Sequence, residues 1–438
     1  MTAALLLIRE LQIEIELLKN GRRSKTSSTP SSQDYTKGHN NNLRVKTGKK
    51  SGGQKGHKGS TLKMSESPDE TQKHYPEYCK HCGEEFSSNS KFELDKRKQE
   101  VVIPPIKAKI IEHQSFSCTC EKCGRETISD LPAYLKSKIQ YGKNIQSLIT
   151  YLSVYQYLPS NRIKKLFEDI LNIPISEGTI YNILEAMGNK ALPSYNVIKE
   201  KVENSKVVGG DETGIKINGK KAWLWVFQNS LYTYLKASFS RGYTSVSETF
   251  TNGFPQSVYV SDSLPAQLKI KTKSKQLCLS HLIRELNNFE DALKSDWATK
   301  LKQLLQESIS YKKQMSVKDY KPNNPKIKSF ENQLTELLDI DYSGKHKKLQ
   351  AFVKRLQKHR HSILTFLYHL EVPPDNNGSE RAIRNAKIKM KVSWQFKSFE
   401  FAEYYAIIRS VVDTTIKKSQ NVFEALSSLS DQNVLVAE

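Results

Sequence analysis

Three carboxylates stand out by type and setting: Asp211 in "GGDETG", Asp262 in "SVYVSDS" and Glu380 in "PPDNNGSERAIRNAKIKMK". Strand periodicity predicts that Asp211 closes a first β-strand and Asp262 a fourth, while Glu380 falls near a helix start. Carboxylates crowded at strand ends repel and raise each other's pKa. A divalent cation removes that cost. Three oxygen ligands suit a pair of Mg²⁺ or Mn²⁺ ions, which keep water and phosphate oxygens in their remaining positions. Two such ions can activate an attacking oxygen and stabilise a leaving one in phosphodiester displacement. Alone, a strand-end Asp is usually a turn former and a first-turn Glu usually complements the helix dipole. The combination carries the weight.

Six basic residues follow Glu380: Arg381, Arg384, Lys387, Lys389, Lys391 and Lys397. On a helix, Arg384 and Lys387 stand at i+4 and i+7 and share a face with Glu380. That face, with Lys391 further along it, would hold phosphates next to the reacting one. Upstream, "CLSHLIREL" spaces Cys278, His281 and Arg284 over one to two helical turns. Cys278 and His281 are candidates for supporting the carboxylates, and Arg284 for touching DNA.

A second chemistry belongs to the cysteines. Five of the six lie between Cys79 and Cys123, and two pairs form C-x-x-C knuckles, Cys79/Cys82 and Cys120/Cys123. Two knuckles aim four thiolates at one tetrahedral ion, which suits a structural Zn²⁺. Cys118, two residues before Cys120, could replace it, as could His81 or His113. The spacing between the knuckles calls for a long β-hairpin, with residues 107–118 alternating like one strand.

The elements that must position these groups read as follows. Residues 1–20 form a short amphipathic helix in which Ala4, Ile8, Leu11, Ile15 and Leu18 keep coiled-coil spacing. Docking on its own chain and pairing with a second copy are both open. Residues 21–65 are a basic arm without the apolar groups for a core. From Lys19 to Lys63 there are twelve Lys or Arg against one acid, Asp34. A zinc-ribbon-like domain follows at 70–130, then a helical domain at 135–203. There, an apolar-periodic helix, a break at Ile173-Pro174 and a second helix capped by Ser176 match a helix-turn-helix, offering Glu177, Thr179, Tyr181 and Asn182 to a DNA groove. Strands with "NGK" and "NS" turns begin the core, 205–415, and a helical insertion at about 285–370 accounts for the 118 positions (380 − 262) between Asp262 and Glu380. Residues 416–438 are a tail.

The net charge of +22 over 438 residues argues for a polyanionic partner. The longest apolar run, near Ala3–Ile8, is far too short for a membrane span, and no cleavage-site pattern accompanies it. The expected setting is the cytoplasm, on the nucleoid.

"GGQKGHKG", the paired knuckles, "GDETG", "SDSLPAQ", "CLSHLIREL" and "PPDNNGSERAIRNAKIKMK", in that order from about residue 20 to 430, resemble the insertion-sequence-66 family of bacterial transposases. The resemblance implies a multidomain α/β protein with a ribonuclease-H-like core, a mixed sheet with helices, carrying an Asp-Asp-Glu triad at Asp211, Asp262 and Glu380. It also implies binding of double-stranded DNA at the element's ends and target, action as a homo-oligomer on DNA, and accessory proteins from the element. The implied activity is metal-dependent cleavage to a 3′-hydroxyl and its transfer to target DNA. Two alternatives are a non-catalytic DNA-binding regulator and a ribonuclease-H-like nuclease without strand transfer.

Overall fold

The computed structural model describes residues 3–20, 52–54, 56–59 and 61–431, with side chains described from Leu7 onward. Most of the expected basic arm, and the last residues of the expected tail, lie outside the described residues. The chain divides into two compact units, Lys46–Ile110 and the remainder.

In the larger unit, helix α1 (Ala3–Asn20) buries Leu17 and places Glu14 against His346 and Lys348. It therefore docks on its own chain. Its Ile8, Leu11, Ile15 and Leu18 stay exposed.

Strands β1 (Ser117–Thr119) and β2 (Glu126–Ile128) pair antiparallel around the second knuckle. The strand expected over 107–118 is confined to these last residues. Alternation marks an extended chain, but a strand needs a hydrogen-bonded partner, and β2 offers only three residues.

Helix α2 (Lys143–Thr150) runs into a π-helical turn, Tyr151–Tyr155. Helix α3 (Ser160–Leu171) ends on Asn172 in the left-handed region, φ 52°. The Ser176 hydroxyl then accepts the Thr179 amide at 3.0 Å and starts α4 (Glu177–Glu203). The break and the cap fall where the sequence places them. Helix α4 is longer than the expected second helix. Its Ile180, Ile183, Met187, Ala191, Ile198 and Val202 join one hydrophobic core with the sheet described next, so the expected boundary near residue 204 separates no two cores.

That sheet is mixed, in the order β5-β4-β3-β6-β7. Strands β3 (Val207–Ile217), β4 (Lys220–Gln228) and β5 (Thr233–Ser238) form an antiparallel meander. The turn at Asn218-Gly219 has both residues at positive φ, 44° and 75°, as a tight two-residue hairpin requires. After α5 (Tyr243–Ser247), β6 (Phe254–Ser261) lies parallel to β3. Then α6 (Pro265–Leu268) leads to β7 (Thr272–Leu277), parallel to β6 at the sheet edge. The sequence reading contains no β7. "TKSKQL" carries a single large apolar residue, Leu277, so it lacks the apolar alternation that marks a strand.

Helices α7 (Leu279–Leu293), α8 (Asp296–Gln314), α9 (Pro325–Leu338) and α10 (Lys347–Lys358) follow. They form a second core that includes Val258, Val260 and Leu277 of the sheet. Burying each such aliphatic side chain contributes about 1.5–3 kcal/mol. Helices α11 (Asn377–Ser393) and α12 (Phe399–Lys417) return to the first core. Helix α13 (Val422–Ser430) packs on α2, where the Ser147 hydroxyl donates to the Leu426 carbonyl at 3.3 Å. Residues 422–430 are thus folded helix, where the sequence reading has only a tail: Leu426 and Leu429 are buried. Among the described residues, no helix is long and apolar enough to cross a membrane.

Candidate active site

The 51 positions between Asp211 and Asp262 (262 − 211) have a structural meaning. Val207 pairs with Val258 and Gly209 with Val260, the same offset of 51. Asp211 comes two residues beyond the last pair of that ladder on β3, and Asp262 comes two residues beyond it just past the end of β6; Asp262 is among the charges that act on Asp211. Asp262 directly follows β6, as expected. Asp211 does not close its strand: it sits in the middle of β3, opposite Val226 of β4. The ladder to β6 ends at Gly209, while the hairpin with β4 carries β3 onward. Asp211 therefore emerges where the parallel pairing stops.

Glu380 lies in the first turn of α11, and a buried network fixes that turn against β3. The Asn376 side-chain amide donates to the Gly210 carbonyl at 2.6 Å, and the Ser379 hydroxyl to Asn376 Oδ1 at 2.7 Å. The Asn376 backbone N–H donates to Cys278 Sγ at 3.2 Å, and the Leu279 amide to the Pro374 carbonyl at 2.9 Å. Sequence reasoning missed Asn376 and Ser379, whose only signal was the polar "DNNGS" turn.

The two glycines before Asp211 permit this approach. A Cβ on Gly210 would lie 1.8 Å from the Tyr259 hydroxyl oxygen, and one on Gly209 would lie 2.9 Å from both Asn376 Oδ1 and Ser379 Oγ.

The site is acid-rich. Burial, then the Glu212 and Asp262 carboxylates, push the Asp211 carboxyl well above its ordinary value. Glu212 is also raised, by burial first, although Arg241 donates to it at 3.0 and 2.8 Å and Gln267 at 2.7 Å. Asp375, another acid the sequence reading passed over, is raised by burial. Glu212 is thus answered by its own partners. The Glu380 Oε1 atom is buried with no hydrogen bond; the Arg284 guanidinium lies 3.7 Å away at Nη1 and the His281 ring 3.8 Å away at Nδ1. Asp262 and Glu380 both act on the Asp211 carboxyl, and one Glu380 oxygen is buried without a hydrogen bond; carboxylate oxygens are the donors that divalent oxygen-loving cations take.

Cys278, His281 and Glu380 also place ligand atoms within 4.8 Å of one another. Burial pushes the Cys278 thiol up to about 12, however, and its sulfur already accepts the Asn376 amide. That hydrogen bond ties Cys278 to the loop before α11. Burial, then Arg284, lowers the His281 pKa, which favours the neutral ring beside Glu380.

Arg381, Arg384, Lys387 and Lys391 are exposed on α11, but Lys389 is buried and does not share their face. Of the expected groove readers on α4, Asn182 is exposed, and Thr179 is turned back to the Ser176 hydroxyl at 2.9 Å. Tyr181 is not on the open face. Its ring packs on Phe401 with centroids 4.9 Å apart, because α12 covers that side of α4.

Each cysteine knuckle, taken by itself, closes the same way. The Gly83 amide donates to the Cys79 carbonyl and the Gly124 amide to the Cys120 carbonyl, both at 2.8 Å. Backbone N–H groups, led by those of His81 and Cys123, hold the thiols of Cys79 and Cys120 below their ordinary pKa. Cys120 thus occupies the position that Cys79 has in the first knuckle, whereas Cys118 lies in β1 outside the turn.

A mixed sheet flanked by helices, with acids gathered where its parallel strands end, fits the core of a DDE-type transposase. The family model described as Transposase IS66 family matches residues 138–404, and the chain belongs to that family. No curated protein matches the chain.

Proposed function

We propose that this chain is the DNA transposase of a bacterial insertion sequence, cleaving the element's ends to 3′-hydroxyls and joining them to target DNA. The observation that carries the reading is the shared register that puts Asp211 and Asp262 each two residues beyond the β3–β6 ladder, together with a buried Glu380 oxygen that has no hydrogen bond. The strand order, an antiparallel meander followed by two parallel strands, supports a ribonuclease-H-like core.

Asp211, Asp262 and Glu380 would hold two Mg²⁺ or Mn²⁺ ions, which when bound supply activation of the attacking oxygen and stabilisation of the leaving one. The chain's own residues do the rest. Asn376 and Ser379 set the position of Glu380. Arg284, beside Glu380, is suited to a phosphate oxygen, and Arg384, Lys387 and Lys391 to phosphates further along the strand. The attacking groups are water and then the freed 3′-hydroxyl, so no protein nucleophile is required. Cys79, Cys82, Cys120 and Cys123 are proposed to hold one Zn²⁺, supported by the matching turns of the two knuckles. The ribbon, the α3–α4 pair with the exposed Asn182, and the basic arm are proposed to bind end DNA. The protein is proposed to act as a homo-oligomer on the nucleoid, with accessory proteins of the element.

The test is cleavage of DNA carrying the element's ends in Mg²⁺. Asp262→Asn and Glu380→Gln should each abolish nicking while retaining DNA binding. Nicking at the wild-type rate by either variant overturns the triad.

A further inference from the structure

A cavity of about 340 Å³ opens between α3, α4, the far end of α11 and α12. Its wall is aromatic and basic: Tyr181, Phe401, Tyr404 and Trp394 with Arg162 and Lys397. Among the described residues, no carboxylate lines it. Trp394 is 77% exposed, although its backbone sits at φ 62°, a conformation unfavourable to any side chain but glycine. The fold thus holds a large flat ring in the open at a conformational cost.

Deeper in, three polar groups are poorly answered. The hydroxyls of Ser393 and Tyr405 are buried without a hydrogen bond. Lys389 is buried, and its ammonium reaches the Ser153 carbonyl only at 3.4 Å. A buried ammonium without a carboxylate is costly, and an entering anion would remove the cost. The Ser153 carbonyl belongs to the π-helical turn, and such turns recur at functional sites.

We propose that this cavity receives a single unpaired nucleotide of the DNA substrate, its base against Trp394 and its phosphate toward Lys389, Arg162 and Lys397. The proposal rests on the transposase reading and deepens it. Stacking suits any base, because every base has a flat π-face. The cavity and the carboxylates share one helix: Trp394 caps α11, whose first turn carries Glu380, fourteen residues earlier. At 1.5 Å per residue, roughly 21 Å separates them along the helix. DNA engaged at Glu380 would therefore present a nucleotide several steps from the cut to this cavity.

The experiment is equilibrium binding of the full chain, without divalent ions, to a short duplex carrying one bulged 2-aminopurine and to its fully paired counterpart. The wild type should prefer the bulged duplex by roughly ten-fold, from the stacking of one base, and should quench the 2-aminopurine. Trp394→Ala and Lys389→Met should each lose the preference and the quenching but keep the affinity for paired DNA. Trp394 is exposed, so its variant keeps the test decisive should Lys389→Met fail to fold. Three results overturn the proposal: no preference in the wild type, variants that retain it, or variants that weaken both duplexes equally. No cleavage is read, so failure here leaves the triad test untouched.

Discussion

In metal-free buffer, the Asp211→Asn protein should be more stable than the wild type at neutral pH, by a margin that grows as pH rises. Burial, then the Glu212 and Asp262 carboxylates, raise the Asp211 carboxyl well above its ordinary value. A carboxyl raised in the folded state binds more protons folded than unfolded. Its contribution therefore favours folding least at high pH: stability is lost from about pH 4, the unfolded value, upward to the folded value. For one group the slope is about 1.4 kcal/mol per pH unit, and each kcal/mol corresponds to roughly 2–4 °C in Tm for a large domain. Glu212 and Asp375 are raised in the same sense but remain in both proteins, so the difference isolates Asp211. Mg²⁺ should reverse the order. At a hundred-fold excess over its Kd it would stabilise the wild type by about 2.7 kcal/mol, and the variant much less. The assay is thermal or urea unfolding from about pH 4 to about pH 8, with and without Mg²⁺. A margin flat in pH, or a variant less stable than the wild type without metal, would refute the reasoning.

Three further outcomes are expected. Cys278→Ala leaves the buried Asn376 N–H without an acceptor, so it should cost about 1–3 kcal/mol in urea unfolding, and Cys278→Ser distinctly less; equal losses would remove the hydrogen bond from the account. Arg384→Ala and Lys387→Ala should each weaken DNA binding and lower the slope of log affinity against log salt by about 0.9, since both are exposed on α11; an unchanged slope excludes phosphate contact. Elemental analysis should find about one zinc per chain, lost on Cys82→Ser or Cys123→Ser but retained on Cys118→Ser, because Cys118 lies outside the knuckle turn.

Much of this fold was legible wherever the information is local. Asn218-Gly219 gave the hairpin turn because few other pairs accept two positive φ angles. Ser176 marked the start of α4 because its hydroxyl caps an otherwise unsatisfied amide. Asp262 and Glu380 fell at a strand end and a helix start, as their surroundings implied. Strand β7 escaped because a polar edge strand carries no periodic signal, and Asp211 proved mid-strand because where a ladder ends depends on the partner strand.

The sequence by itself determined which residues could do chemistry: three acids, two thiol pairs and a run of bases, with the order of elements that carries them. These are properties of residue type and of neighbours a few positions away. Only the tertiary structure decided which groups meet. It brought the Asp262 charge to bear on Asp211, made Cys278 an acceptor for Asn376, left one oxygen of Glu380 without a hydrogen bond, and turned Lys389 from a row of surface bases into a cavity. Those outcomes depend on strand register and on which helix covers which face, and such contacts join residues far apart in the chain.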